Sequence, residues 1–307
     1  MGALGRLADQ AKGVWRFVQP LDDSEQVPIP PSVPEGRTVN VPERGEMFIR
    51  YAGEGGTPIV LIHGWALTAD LNWFSGIYDV AARHGRMVAP DLRGHGRGMR
   101  SDEPFTMERA AGDVAGLVRE LDMAPAVLVG YSLGGSVALE MARRDPETVG
   151  GMVLVSTPLQ YKADVWERLQ WTGLGVVEYG LRIGTPKGIV DRYLRRAAEL
   201  SPDLEQFSGW IKGEVRRGDP TDIAAAGRCI GNFDYREFAG DVKVPTVSVI
   251  SRNDLMVREI RQRELADAIP GARTVELDGA HNAWMVKPKE YANAIDEGLE
   301  MVIDGLS

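Results

Sequence analysis

A serine flanked by glycines is the clearest candidate for chemistry in this chain of 307 residues. The apolar run 126–129 leads into Gly130-Tyr131-Ser132-Leu133-Gly134, and a helix-forming sequence follows directly. A strand, a sharp turn and a helix are the context in which Gly-x-Ser-x-Gly exposes a nucleophilic hydroxyl. Small residues beside the serine leave room for so tight a turn. We therefore predict that Ser132 is a nucleophile at the tip of this turn.

A serine hydroxyl is a poor nucleophile until a base removes its proton, and an acid is needed to orient that base. His281 follows a predicted strand at 273–277, and Asp254 follows another at 244–250. We predict that His281 is the base and Asp254 the orienting acid. Asp278 is the rival acid, but it lies too near His281 in the sequence to orient the ring easily.

Acyl transfer through a serine also requires N–H donors for the negative oxygen of the tetrahedral intermediate. The N–H of Leu133 lies in the first turn of the predicted helix, where it lacks a helical partner and the helix dipole favours an anion. After the apolar strand 58–63, Gly64 allows a tight turn that lets the N–H of Trp65 point into the site. We predict that Leu133 and Trp65 form the oxyanion hole, with the Trp65 indole as a wall of the pocket.

Four other polar residues near predicted strand ends are interpreted as structural. His63 ends a buried strand, and we expect its ring to bond to nearby loop backbone. Asp91, Arg93 and His95 lie in the glycine-rich stretch 91–98. We expect Asp91 and Arg93 to hold this loop through a buried ion pair, and we expect His95 to be structural as well.

The order of the predicted elements indicates an α/β fold. Strands are predicted at 37–41, 47–52, 58–63, 87–90, 126–129, 152–156, 244–250 and 273–277. Alternation with helices favours a mostly parallel eight-stranded sheet with helices on both faces. Ligands bind such sheets at the carboxyl ends of the strands. Ser132, Asp254 and His281 each follow a strand at that edge.

The strand pattern is interrupted between residues 157 and 240. Helices are predicted there at 161–181, 187–200, 203–217 and 221–231. We interpret 157–240 as a helical cap that is inserted after the sixth strand and covers the active edge. The core of the fold then comprises 37–156 and 241–307.

Residues 1–36 precede this core as an amphipathic helix and a proline-rich linker. The helix is predicted at 1–19, with leucine, alanine, tryptophan and valine on one face. Two interpretations remain open. The helix packs on the body of its own domain, or it contacts a membrane surface or a partner.

Composition excludes several classes of function. The 35 basic and 44 acidic side chains give a net charge of −9, and no basic run indicates nucleic-acid binding. A single cysteine excludes an internal disulfide, and the four histidines show no His-x-x-x-His spacing, so no metal is predicted. Neither a spanning helix nor a signal peptide is predicted. We expect a cytoplasmic protein that could be peripheral to a membrane through residues 1–19; the oligomeric state stays open.

Five motifs together resemble the α/β-hydrolase superfamily over residues 37–305. They are His63-Gly64-Trp65, Asp91-Leu92-Arg93-Gly94-His95-Gly96, Gly130-Tyr131-Ser132-Leu133-Gly134-Gly135, Arg252-Asn253-Asp254 and Gly279-Ala280-His281. The triad order Ser, Asp, His is the order of that superfamily. The resemblance implies a hydrolase without a cofactor, with Ser132 as nucleophile, Asp254 as acid and His281 as base. A serine in place of an aspartate nucleophile disfavours epoxide hydrolase and haloalkane dehalogenase activity.

We predict a serine esterase that cleaves a small carboxylic ester through an acyl-enzyme, with an apolar acyl group. Three alternatives remain open. One is a carbon–carbon bond hydrolase of the same fold. Another is a perhydrolase or haloperoxidase-like enzyme, against which the long segment 157–240 counts. The third is a hydrolase-like small-molecule binding protein with negligible turnover.

Overall fold

The computed structural model describes residues 28–169, 171 and 207–306. Within them, eight strands form one sheet. The strands are β1 (Gly36–Val41), β2 (Gly45–Gly56), β3 (Ile59–Ile62), β4 (Gly85–Pro90), β5 (Ala126–Tyr131), β6 (Val149–Val155), β7 (Thr246–Ser251) and β8 (Arg273–Leu277). The prediction of an eight-stranded sheet is confirmed.

The sheet has the order β1-β2-β4-β3-β5-β6-β7-β8. Strand β2 pairs antiparallel with β1 and β4, and all other neighbours are parallel. At the carboxyl ends, Ile62 pairs with Gly130, and Tyr131 pairs with Val155. The loops after these parallel strands therefore open at one edge of the sheet, as predicted.

Nine α-helices accompany the sheet in the described residues. They are α1 (Ala69–Trp73), α2 (Ile77–His84), α3 (Met107–Glu120), α4 (Leu133–Arg144), α5 (Ser208–Val215), α6 (Pro220–Asn232), α7 (Glu259–Ala268), α8 (Ala283–Val286) and α9 (Pro288–Asp304). Two short 3-10 helices lie at Pro146–Thr148 and Ala239–Asp241.

Helices cover both faces of the sheet because its strands alternate apolar side chains between two cores. Leu128 of β5 packs in one core with Val114 of α3 and Val137 of α4. Val129, the next residue of the strand, packs in the other core with Leu299 of α9. A central strand that is apolar on both faces requires such a two-sided cover. The predicted layers are confirmed.

The bounds of two strands differ from the predicted ones. Strand β7 begins at Thr246 rather than at residue 244, because Pro245 has no N–H to donate to a neighbouring strand. Strand β2 continues to Gly56 beyond a register shift that follows Ala52. The sequence pattern set no bounds for α1 and α2, which are short; α1 begins after the side-chain cap of Thr68.

The helices predicted at 203–217 and 221–231 correspond to α5 and α6. The helices predicted at 1–19 and 187–200 lie outside the described residues, as does most of the one predicted at 161–181. No helix in the part of the chain that is described is both long and apolar enough to span a membrane.

Candidate active site

Ser132 forms the turn between β5 and α4. Its φ of 52° and ψ of −110° lie where residues with a side chain are rare, at a cost of about 1–3 kcal/mol. The flanking glycines lie against backbone. A Cβ on Gly130 would lie 2.5 Å from the Gly134 oxygen, and a Cβ on Gly134 would lie 1.9 Å from the Ile62 oxygen. Packing therefore requires both glycines of the Gly-x-Ser-x-Gly motif.

His281 and Asp254 are joined by a hydrogen bond between Nδ1 and Oδ2 of 2.7 Å. They come from the loops after β8 and β7, which are neighbouring parallel strands. The carboxylate is fully buried, whereas the His281 side chain is 17% exposed. Because Nδ1 is held by the acid, Nε2 is the nitrogen that remains available to act as a base.

The backbone around Asp254 holds its carboxyl group in place. The N–H groups of Met256 and Val257 each donate to Oδ1 at 2.8 Å. Gln262 of α7 fixes this loop, because its Oε1 accepts from Ser251 N–H at 2.8 Å and its Nε2 donates to the Val257 oxygen at 2.7 Å. Sequence reasoning missed Gln262, since nothing in the sequence marks this glutamine as buried.

Asp278, the rival acid, has other partners. Its carboxylate accepts hydrogen bonds from Lys287 Nζ at 2.7 Å and from Asn253 Nδ2 at 2.9 Å. Its side chain is 72% exposed. The Lys287 ammonium lowers the pKa of this carboxyl. The geometry therefore favours Asp254 over Asp278 as the partner of His281.

Ser132 and His281 line one cavity of about 580 Å³. No direct hydrogen bond joins these two side chains in the described structure, and such bonds often tighten only when substrate binds. The rest of the lining is mostly apolar and comprises Trp65, Ala66, Leu67, Tyr131, Trp171, Ile230, Leu255, Met256, Ala280 and Trp284, with Asn253 and Asn282. Among the described residues, no lysine, arginine or acid lines the cavity.

The two predicted oxyanion donors lie beside Ser132 in the described fold. Leu133 is the first residue of α4, and Trp65 follows β3, the strand next to β5. Neither backbone N–H donates to another described residue. Asn72, which sequence reasoning missed, holds the loop before Trp65 by accepting from Gly64 N–H at 2.9 Å. Two free donors on the two sides of the serine turn match what an oxyanion requires.

The Trp65 indole is a wall of the cavity, and its Nε1 donates to the Ile223 oxygen of α6 at 2.6 Å. Ile230 of α6 lines the same cavity, as does Trp171. Glu214 of α5 is buried and pairs with Arg97 at 2.5 Å. The described helices between β6 and β7 are thus attached to the core beside the cavity.

His63 and His95 are buried and serve the loops that surround them. His63 Nε2 accepts from Leu92 N–H at 2.9 Å, and its Nδ1 lies 2.8 Å from the Gly64 oxygen. Burial lowers the pKa of His63 to about 4 and that of His95 to about 3. Both histidines are therefore neutral structural groups, as predicted. No metal-binding group of three or more suitable side chains occurs within the described ranges.

The expected ion pair between Asp91 and Arg93 is wrong. Arg93 pairs instead with Asp113 of α3, at 2.6 Å from Nε and 3.0 Å from Nη2. Asp91 holds its loop through backbone, because it accepts from the N–H groups of Ala69 and Arg97 at 2.7 Å each. The Asp91 carboxylate is therefore bonded to backbone N–H groups near it in space, and the partner of Arg93 comes from helix α3, which faces the loop.

Comparison with known proteins identifies the fold and several relatives. A family model described as "Alpha/beta hydrolase family" matches residues 59–294. A non-heme chloroperoxidase of Streptomyces lividans is 31% identical over 76% of this chain and 85% of the relative. A pimeloyl-[acyl-carrier protein] methyl ester esterase of Chromobacterium violaceum is 26% identical over 83% of this chain and 98% of the relative. The crystal structure of an enol-lactonase from Burkholderia xenovorans LB400 aligns with a TM-score of 0.73 at 26% identity, covering 86% of this chain and all of the enol-lactonase.

Proposed function

Because the chain belongs to the alpha/beta hydrolase family, we propose that it is a serine esterase that acts on neutral, apolar carboxylic esters. One observation carries this proposal. A hydrogen-bonded pair, His281 and Asp254, opens on the same cavity as the strained turn of Ser132. The esterase and lactonase names of two relatives agree with ester cleavage.

The reaction proceeds in two halves. Ser132 Oγ attacks the acyl carbon while His281 Nε2 takes its proton and then delivers it to the departing alcohol. Asp254 holds the tautomer with a proton on Nδ1 and stabilises the imidazolium. The N–H groups of Leu133 and Trp65 hold the oxyanion. Water, activated by the same histidine, then attacks the acyl-enzyme and releases the acid.

The lining of the cavity supports an apolar acyl group. A volume of about 580 Å³ accommodates a small-molecule ligand. Tryptophan, leucine, isoleucine and methionine side chains supply most of the wall, and no described cation faces it to pair with a carboxylate. Burying an unpaired charge there would be costly. The substrate is therefore an ester whose acyl chain is uncharged.

A matched pair of acyl chains tests this proposal. We expect wild type to hydrolyse 4-nitrophenyl esters between acetate and palmitate, with an optimum chain length set by the cavity. We expect a 4-nitrophenyl ester of a six-carbon acyl chain to have a kcat/KM at least about tenfold above the same ester with a terminal carboxylate.

The control for this panel is Ser132→Ala, which should lose activity by several orders of magnitude on every ester. Equal rates on the charged and neutral chains would contradict the apolar acyl group. No turnover of any ester would contradict the esterase itself.

Perhydrolysis is a second candidate, favoured by the 31% identity to a non-heme chloroperoxidase. In that reaction hydrogen peroxide replaces water as the attacking molecule, so the acyl-enzyme yields a peracid. Perhydrolysis would be supported if the enzyme formed more peracid than carboxylic acid at a peroxide concentration far below that of water. If the product in the presence of peroxide is still the carboxylic acid, the enzyme is a hydrolase alone.

A further inference from the structure

Tyr131 stands between Gly130 and Ser132 in the chain, and the mechanism above gives it no role. It is the last residue of β5, where its backbone pairs with Val155 of β6. Its side chain is 2% exposed, and the residue lines the active cavity. The sheet therefore fixes the backbone of Tyr131 directly beside the proposed nucleophile.

The Tyr131 hydroxyl holds the backbone of the proposed base. It donates a hydrogen bond to the carbonyl oxygen of His281, and no other described group donates to that oxygen. The two aromatic rings also meet, with 5.1 Å between their centroids and 38° between their planes. This contact joins the loop after β8 to the end of β5, although the two residues are 150 positions apart in the chain.

The ring of Tyr131 also packs against the loop after β3, which carries a proposed oxyanion donor. A Cβ on Gly64 would lie 2.6 Å from Cδ1 and 2.7 Å from Cε1 of the tyrosine, so only a glycine leaves room for this ring. On another side the ring meets Tyr291 edge-on, with 6.1 Å between centroids. The Tyr291 hydroxyl accepts from Asn72, which in turn accepts from Gly64 N–H. Tyr131 is thus held in contact with the loops after β3 and β8.

We infer that Tyr131 is a positioning residue, whose hydroxyl and ring set the place of the base His281 relative to the nucleophile Ser132. This inference rests on the proposed function. Asp254 fixes the rotation of the imidazole through Nδ1. Tyr131 fixes the backbone from which that imidazole extends. With both points held, Nε2 has a defined place relative to the serine hydroxyl.

Both halves of the reaction depend on this placement. His281 takes the proton of the Ser132 hydroxyl during acylation and the proton of water during deacylation. The described hydrogen bond of the His281 ring goes to Asp254 and not to the serine, so packing must keep base and nucleophile at their working distance. A displacement of about 1 Å can lower a rate about a hundredfold. Tyr131 itself neither gives nor takes a proton in these steps.

Tyr131→Phe removes the hydroxyl and keeps the ring against Gly64 and His281. We expect kcat on 4-nitrophenyl butyrate, per folded molecule, to fall about tenfold, the scale of one lost hydrogen bond. Acylation and deacylation, resolved by rapid mixing, should both slow because both use the same base. Since the two rates fall together and the apolar wall is unchanged, KM should stay within about twofold of wild type.

A double-mutant cycle with His281→Gln separates positioning from general structural support. If Tyr131 acts through the imidazole, its hydroxyl has nothing to position once the imidazole is gone. In single-turnover measurements at high enzyme concentration, Tyr131→Phe should slow the residual acylation of His281→Gln by less than about twofold. A tyrosine that only supported the serine turn or the pocket would slow both backgrounds alike.

Tyr235→Phe is the matched control. The Tyr235 hydroxyl is also buried and also donates to a backbone oxygen from a distant part of the chain, that of Leu139. Tyr235 does not line the active cavity. This variant loses the same kind of hydrogen bond and should keep kcat within about twofold of wild type.

Each outcome is decisive. A wild-type kcat in Tyr131→Phe would overturn the positioning role, while the esterase proposal stands. An equal loss in Tyr235→Phe, or an equal loss in the His281→Gln background, would also overturn it, since the effect would then be structural. A wild type that turns over no ester would instead refute the proposed function, on which the inference rests. If Tyr131→Phe does not fold, Tyr131→Met also lacks the donor and adapts to irregular gaps; it should show the same loss of kcat, and an unchanged kcat would overturn the inference.

Discussion

Two groups of polar residues lie at the same edge of the sheet, and they differ in what surrounds them. His63, Asp91 and His95, after β3 and β4, are completely buried. Their described hydrogen bonds go mainly to backbone groups of these two loops. His281 and Asp254, after β8 and β7, bind each other, and the histidine faces a cavity that it shares with Ser132.

This difference shows that residue type and strand position alone do not define a catalytic group. His63, whose two nitrogens are both occupied by backbone groups, has neither a free lone pair nor access to substrate, and His95 is equally buried. A histidine that has one nitrogen held by a buried acid keeps the other for proton transfer. The first group holds the loops beside the site in place, and the second performs the chemistry that we propose.

The largest expected effect separates the two histidines. His281→Gln removes the base and should lower kcat on 4-nitrophenyl esters about 10⁴-fold or more. His63→Gln keeps an acceptor for Leu92 N–H and a donor for the Gly64 oxygen, so it should retain activity within about tenfold per folded molecule. Steady-state rates normalised to the folded fraction measure both. Similar losses in the two variants would remove the distinction between the groups.

The two aspartates near His281 give the next largest effect. Asp254→Asn should lower kcat about 10³- to 10⁴-fold, because the amide cannot hold the same tautomer of the ring. Asp278→Asn should stay within about twofold of wild type, since this side chain is exposed and pairs with Lys287. The same ester assay compares them. A larger loss at Asp278 would reassign the acid.

The smallest expected effect concerns the buried residues after β3 and β4, and it is seen in how stability depends on pH. Burial lowers the pKa of His95 from 6.5 to about 3 in the folded protein. Below pH 6.5 the unfolded chain therefore binds more protons than the folded protein does. The stability that the neutral His95 contributes is complete above that pH and is lost as the pH falls. Between pH 7 and pH 5 the loss for one such histidine is about 2 kcal/mol.

His95→Asn removes this titration and keeps an N–H donor for the Arg93 oxygen. The free energy of unfolding in urea, measured at pH 7 and pH 5, should therefore fall less for the variant than for wild type. An identical fall in both proteins would show that His95 is protonated in the folded state and would contradict its neutral, structural role.

The sequence was most informative where a motif and its element coincide. The pattern Gly-x-Ser-x-Gly between a strand and a helix predicts a tight turn at Ser132. The structure has that turn, and both glycines lie against backbone, where a side chain would not fit. The strand ends placed Asp254 and His281 at one edge because parallel strands align. Local pattern and global topology agree in these elements.

Contacts between distant residues were not predictable in the same way. The partner of Arg93 is Asp113, on a helix that meets the loop only after folding, and a nearer acid was predicted instead. Gln262 and Asn72 support the site by accepting hydrogen bonds from the backbone N–H groups of Ser251 and Gly64. Nothing in a single sequence distinguishes such buried amides from exposed ones, since burial depends on the packing of the complete chain.

Detection of the acyl-enzyme tests the central claim most directly. Wild type and Ser132→Ala are mixed with 4-nitrophenyl butyrate, quenched in acid at short times, and analysed by intact-protein and peptide mass spectrometry. We predict a butyryl adduct in wild type, on the peptide that contains Ser132, and none in Ser132→Ala. Continued turnover without an adduct, or an adduct on another residue, would contradict the assignment of Ser132 as the nucleophile.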